Sequence, residues 1–206
     1  MWQCPDDAVA ALVLAHGAGA GMTHASMQAI ASAFEQRGIA TLRFNFPYME
    51  AGRNRVDSPA VACDSIAAAF AAARERTHLP IWIGGHSFGG RMASHAIVDR
   101  ALPAAGLIFC SFPLHMPGKL DTKRAQHLGA ITKPMLFLSG TRDELADANL
   151  LGPLVASLPT AKLHWLATAD HGYKVLKRTR TRTDTVFEEM AETARAFIDE
   201  HGAPQP

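Results

Sequence analysis

A glycine-rich string, GGHSFGG at residues 84–90, places Ser87 directly after the apolar run Ile81, Trp82 and Ile83 and directly before helical sequence that starts at Arg91. A serine hydroxyl attacks a carbonyl carbon only when it stands exposed on a sharp turn beside a base. Strand, turn and helix in that order supply such a turn, and Gly85 and Gly89 permit the crowded backbone it requires. The competing reading is a glycine-rich turn whose serine merely caps a helix.

A nucleophile of this kind needs a base, and the base needs a group to orient it, in the chain order serine, acid, histidine at the ends of later strands. The apolar run at 134–139 leads into Gly140, Thr141, Arg142 and Asp143, and the run at 162–167 leads into Ala169, Asp170, His171 and Gly172. Both Asp143 and His171 therefore emerge at carboxyl ends of strands, the edge where ligands gather in open α/β sheets. His171 would take the proton of Ser87 and return it to the leaving group, with Asp143 holding the other ring nitrogen. Glu144, Asp147 and Asp170 compete for the acid position; Asp170 is weakened because adjacent residues on extended chain point in opposite directions. A surface histidine in a polar loop is the competing reading of His171, one of ten histidines. His86 is read as lying beside the elbow rather than acting as base. His16, His24 and His164 lack paired ligand spacing, so no metal site is expected.

The segment HGAGAG, residues 16–21, ends the first strand and can supply half of an oxyanion hole. The two backbone donors would be Phe88, which follows the nucleophile, and Ala18 in the turn 17–19. A dinucleotide loop is the rival reading. It is rejected because the spacing is GxGxG rather than GxGxxG and no acidic residue ends the second strand. Gly17, Gly19, Tyr48 and Met49 are candidates to line the substrate groove.

The elements that must position these groups alternate along the chain. Apolar runs at 10–16, 39–46, 80–84, 105–112, 134–139 and 162–167 read as strands, about six in all, separated by amphipathic stretches. Met27, Ile30, Ala31 and Phe34 share a helical face before Gly38, and Thr185 with Glu188 has capping-box spacing ahead of the stripe Phe187, Met190, Ala194 and Phe197. The fold class is thus α/β, a mostly parallel sheet with helices on both faces. The strands near 110 and 135 are separated by about twenty residues, too few for a cap domain. One domain over residues 1–206, with a mobile tail at 202–206, is expected.

Composition excludes other classes of function. Hydrophobic residues make up 48% and charged residues 19%, which places the bulk of the chain outside the disordered range. The net charge is +1, so nothing global favours a nucleic acid partner. Three widely spaced cysteines, Cys4, Cys63 and Cys110, fit a reducing, cytoplasmic setting better than a disulfide framework. Asp6 and Asp7 precede the first apolar run where a signal peptide would carry Lys or Arg, and no run approaches a membrane span. Neither a membrane nor a cofactor is expected, and the sequence does not set an oligomeric state.

GGHSFGGRMASHA, HGAGAGM, LRFNFPYMEAGR, SGTRDEL and DHGYK, taken together, resemble the α/β-hydrolase fold. More narrowly they are similar to a small hydrolase-like family that groups bacterial proteins with a testis-expressed protein and a subunit of the non-specific lethal chromatin complex. That family often carries Lys where this chain has His86 and Met where it has Phe88. The resemblance covers nearly the whole chain. It implies a minimal α/β-hydrolase and, from its chromatin-complex member, the alternative of a catalytically silent binding or scaffold protein on the same fold.

The expected activity is that of a lidless serine hydrolase, a carboxylesterase or thioesterase acting on small or flexible acyl groups through an acyl-enzyme of Ser87, Asp143 and His171. Three further features are weighed here. Lys174, Lys177, Arg178, Arg180 and Arg182 form a basic run that reads as a solvated loop, with an anionic acyl carrier or a phosphate-bearing substrate as the alternative. Arg91, on the helix behind the serine, is expected to form an ion pair. Cys110 reads as a small buried hydrophobe.

Overall fold

The structure, a computed structural model, describes residues 1–202; of the expected tail, positions 203–206 lie outside the described residues. The strands are β1 (Trp2–Gln3), β2 (Ala10–Ala15), β3 (Ile39–Phe44), β4 (Ile81–His86), β5 (Leu107–Cys110), β6 (Met135–Gly140) and β7 (Ala161–Leu166). They form one sheet in the order β1-β3-β2-β4-β5-β6-β7, parallel except for β1, which runs antiparallel to β3. The sheet therefore has seven strands, one more than the apolar runs announce. β1 is two residues long and carries no periodic signal, and it pairs only because Trp2 and Gln3 fall beside Leu42 and Thr41.

Helices α1 (Ala25–Glu35) and α6 (Val186–His201) cover one face. The other face is covered by α3 (Pro59–Arg74), α4 (Phe88–Arg100) and α5 (Ala148–Ala156), with the short α2 (Pro47–Glu50) at its edge. Covering both faces explains why β2 reads AALVLA with every residue buried, since no side of a central parallel strand meets water. β7, at the edge, alternates instead and carries Lys162 and His164. The capping box of α6 forms as its spacing predicts: Thr185 Oγ1 accepts from Glu188 N–H, and Glu188 Oε2 accepts from Thr185 N–H at 2.6 Å. Between β5 and β6 lies one 3₁₀ helix, Lys123–Ala130, and no cap domain.

β2 is flanked by β3 on one side and β4 on the other, so the chain reverses its winding direction there. At such a point the loops leaving neighbouring strands part and open a crevice at their carboxyl ends. The loop after β2 and the turn after β4 meet at this crevice. A Cβ on Gly89 would stand 2.6 Å from the His16 carbonyl oxygen, and one on Gly85 would run into the carbonyl of Ala15. Both positions need glycine because the turn and the first strand's end are in backbone contact.

Candidate active site

Ser87 caps α4 with φ 51° and ψ −114°, a conformation that non-glycine residues rarely hold. Its cost is of order 1–3 kcal/mol. It persists because Ser87 N–H donates to Cys110 O at 3.0 Å and Arg91 N–H donates back to Ser87 O at 3.1 Å. Ser111 after β5, Thr168 after β7 and Tyr173 also have positive φ, so backbone strain gathers on the carboxyl edge of the sheet.

The three residues expected to act together are brought together. His171 Nε2 lies 2.8 Å from Ser87 Oγ, and His171 Nδ1 lies 2.9 Å from both carboxylate oxygens of Asp143. The Asp143 side chain is fully buried, and Leu145 N–H also donates to its Oδ1 at 2.9 Å. The rival acids are occupied elsewhere. Asp170 Oδ1 accepts from the N–H groups of Gly172 and Lys174, shaping the histidine loop, and Asp147 Oδ1 accepts from Asn149 N–H to cap α5. Glu144 is exposed.

Phe88 is the first residue of α4, so its N–H has no acceptor within the helix. The turn at residues 17–18 is held from behind. His16, fully buried, receives Phe46 N–H on Nε2 at 3.1 Å, which leaves Nδ1 to donate to Gly17 O at 2.7 Å. Tyr48 Oη donates to Gly17 O at 3.1 Å or Ala18 O at 3.0 Å. In a trans peptide the N–H points opposite to the C=O, so drawing the Gly17 carbonyl inward turns the Ala18 N–H outward. Ala18 itself is exposed. The rings of His16, Phe46, Tyr48 and Phe88 pack edge-on or stacked beneath this turn.

Tyr48 was expected to line the groove and does not: its side chain is buried, with the hydroxyl directed at the turn's carbonyls. Met49 packs near Gly21, and Gly19 is exposed with open space around its Cα. His16, read from sequence only as a strand end without metal-ligand spacing, turns out to be a strut. The signal that could have found it was its place at the strand end immediately before the glycine turn. His115 was also missed. Its Nε2 accepts from Asp147 N–H at 3.0 Å, tying the loop after β5 to the loop that carries Asp143.

His86 packs against His171 and Tyr173, and its Nε2–H donates to the His171 carbonyl at 3.0 Å. Burial pushes its pKa down to about 4, so it stays neutral and serves as a donor to the histidine loop. Burial also brings His127 down to about 4 and lowers His16. A histidine whose folded pKa lies below its unfolded value of about 6.5 binds more protons when unfolded, so stability falls as pH drops through that window. The urea midpoint is therefore expected to decline between pH 6.5 and 4.5, and His127→Asn to flatten the slope. A flat wild-type profile across that range would contradict these burials.

The basic run divides in two. Arg180 Nη2 pairs with Glu189 Oε2 at 2.7 Å with both side chains buried, while Arg182 pairs with Asp184 and Glu192, so these arginines tie the loop to α6. Lys174, Lys177 and Arg178 are exposed. Cys110 is fully buried, and burial pushes its thiol up to about 12. Among the described residues no three His, Cys, Asp or Glu side chains converge to hold a metal ion, and no helix is long and apolar enough to cross a membrane. A concavity of about 330 Å³ adjoins His171, lined by Arg142, Glu144, Asp170 and Lys174. A larger one of about 810 Å³ lies away from Ser87, against β1, β3 and α3.

With this geometry in place, the comparisons with known proteins place the chain. The model of the alpha/beta hydrolase domain family matches residues 8–199, and the chain belongs to that family. Among solved structures it is similar to Est1E from Butyrivibrio proteoclasticus bound to ferulic acid, at 16% identity over 98% of this chain and 94% of that one, with a TM-score of 0.73. It is also similar to a serine hydrolase without a lid from Xanthomonas campestris, at 20% identity over 100% and 89%, TM-score 0.72. A dienelactone hydrolase from Anabaena variabilis matches at 16% identity over 97% and 90%, also with a TM-score of 0.72. At these identities the likeness is one of fold.

Proposed function

We propose that this protein is a serine hydrolase that cleaves carboxylic esters or thioesters through an acyl-enzyme on Ser87. The observation that carries the reading is the unbroken chain from Ser87 Oγ to His171 to Asp143, with contacts of 2.8 and 2.9 Å. A carboxylate at His171 Nδ1 requires the proton there, which leaves Nε2 free to accept from the Ser87 hydroxyl. Ser87 Oγ bonds to the acyl carbon as His171 takes its proton, and the carbonyl oxygen becomes an oxyanion beside the N–H groups of Phe88 and Ala18. Collapse breaks the bond to the alcohol or thiol, which leaves with the proton from His171. Water then repeats the sequence and releases the acid. Atoms and protons balance without an electron carrier, so no cofactor enters the scheme.

The lidless site favours short or flexible acyl groups over buried lipid chains, as expected of a shallow groove. Soluble short-chain esters should turn over faster than emulsified long-chain triglyceride, and the reverse order would argue against the open groove. A cytoplasmic setting belongs to this reading, supported by three free thiols.

The direct test is intact-protein mass spectrometry after exposure to a fluorophosphonate. One adduct per chain, slowed in His171→Ala, is the expected result. A folded wild-type protein that takes no adduct would instead support the binding or scaffold reading that the chromatin-complex relative suggests. Tyr48→Phe addresses the oxyanion turn. Losing the hydroxyl frees the Gly17 and Ala18 carbonyls to rotate, and kcat is expected to fall about tenfold with KM within about twofold. An unchanged kcat would mean His16 alone holds the turn.

A further inference from the structure

Arg91 was expected to form an ion pair, and it does not. No carboxylate lies within 4.0 Å of its guanidinium among the described residues, although the residue is half-buried. Beside it stands a second arginine. Arg124, from the 3₁₀ helix, donates through Nη1 to His115 O at 3.2 Å and through Nη2 to the sulfur of Met116, and it too lacks a carboxylate. Burial and the nearby Arg124 charge both lower the Arg91 pKa, so each arginine stands in the other's field.

The rest of this crevice does nothing to neutralise them. His95 stacks on His127 at 3.7 Å between ring centroids, and His127 Nε2 donates to Ser94 Oγ at 2.7 Å. Burial and the Arg91 charge lower both histidines, which keeps the pair uncharged near neutral pH. Asp99 reaches His95 at 4.0 Å and neither arginine. The loop that follows β5 adds Lys119 and Lys123 against Asp121. Withdrawing a guanidinium from water beside a like charge is unfavourable unless an anion completes it.

The crevice also borders the chemistry. Arg91 lies one helical turn beyond Ser87, about 6 Å along the axis of α4. The loop carrying His115 and Met116 leaves β5 at the same sheet edge where Cys110 O holds Ser87 N–H.

We propose that Arg91 and Arg124 form an anion subsite for the acyl part of the substrate. The preferred substrates are then half-esters or half-thioesters of short dicarboxylic acids, with the free carboxylate between the two guanidinium groups. The planar forks of two arginines match a carboxylate in a way that an ammonium does not. The proposal rests on the acyl-transfer reading of Ser87, since it assigns the far end of the same substrate.

The test compares p-nitrophenyl hexanoate with the mono-p-nitrophenyl ester of adipic acid, which has the same chain length and an added carboxylate. In the wild type, kcat/KM for the adipate half-ester should exceed that for hexanoate, and the ratio should decline with added salt. Arg91→Gln and Arg124→Gln should each lower that ratio about tenfold or more, and Arg91→Lys should restore part of it. Melting curves establish that each variant is folded. Equal use of the two esters, with a ratio that Arg91→Gln leaves unmoved, would overturn the anion subsite and leave the hydrolase standing. If neither ester is cleaved and no fluorophosphonate adduct forms, the hydrolase reading fails. Calorimetric titration of the folded protein with adipate then decides the subsite: binding that Arg91→Gln abolishes sustains it, and no binding overturns it.

Discussion

Replacing Ser87 with alanine is expected to lower kcat by about 10⁵-fold while leaving the fold intact. The hydroxyl removed is the atom that forms the new bond, and its hydrogen-bond partner, His171 Nε2 at 2.8 Å, has no other nucleophile to activate. Alanine keeps the Cβ, so the strained turn at φ 51° is neither relieved nor worsened. The melting temperature should therefore stay within about 2 °C of wild type. Residual turnover would come from binding and from the backbone donors of Phe88 and Ala18, which need no side chain of their own. Steady-state kinetics on a soluble aryl ester measures the loss. A folded variant that keeps more than about a hundredth of the wild-type rate would remove Ser87 from the chemistry.

The second large effect is expected of Asp143→Asn, about 10⁴-fold in kcat with little change in KM. Its reason lies in a contact outside the triad. Leu145 N–H donates to Asp143 Oδ1 at 2.9 Å, so an asparagine here keeps its carbonyl on that donor and turns its NH₂ toward His171 Nδ1. Nδ1 must then accept, the ring proton moves to Nε2, and His171 offers Ser87 a donor where a base is needed. The fluorophosphonate reaction should slow in parallel. A variant within about tenfold of wild type would show that Asp143 only fills space beneath the ring.

Much of this arrangement was legible along the chain. Strand, turn and helix around Ser87 are local features, and so are the positions of Asp143 and His171 directly after apolar runs; each needs only a dozen neighbouring residues to be recognised. The parts that were not legible depend on groups distant in sequence. Tyr48 carries the composition of a pocket residue, and only folding places its hydroxyl on the carbonyls of Gly17 and Ala18, about thirty residues upstream. His16 could be dismissed as a ligand but not recognised as a strut, because its two partners are Gly17 and Phe46. β1 escaped notice because two residues have no period.

The sequence by itself determined the α/β alternation, the order of nucleophile, acid and base, and the edge of the sheet on which they stand. Hydrophobic periodicity and turn glycines act over short stretches of chain, and parallel strands joined by helices leave one carboxyl edge for their loops. The tertiary structure alone decided which charges find partners. Arg180 and Arg182, members of one basic run, meet the acids of α6, while Arg91, expected to be paired, meets a second arginine and two uncharged histidines. Ion pairing depends on separations of a few ångströms between side chains from different elements, and spacing along the chain does not encode those separations.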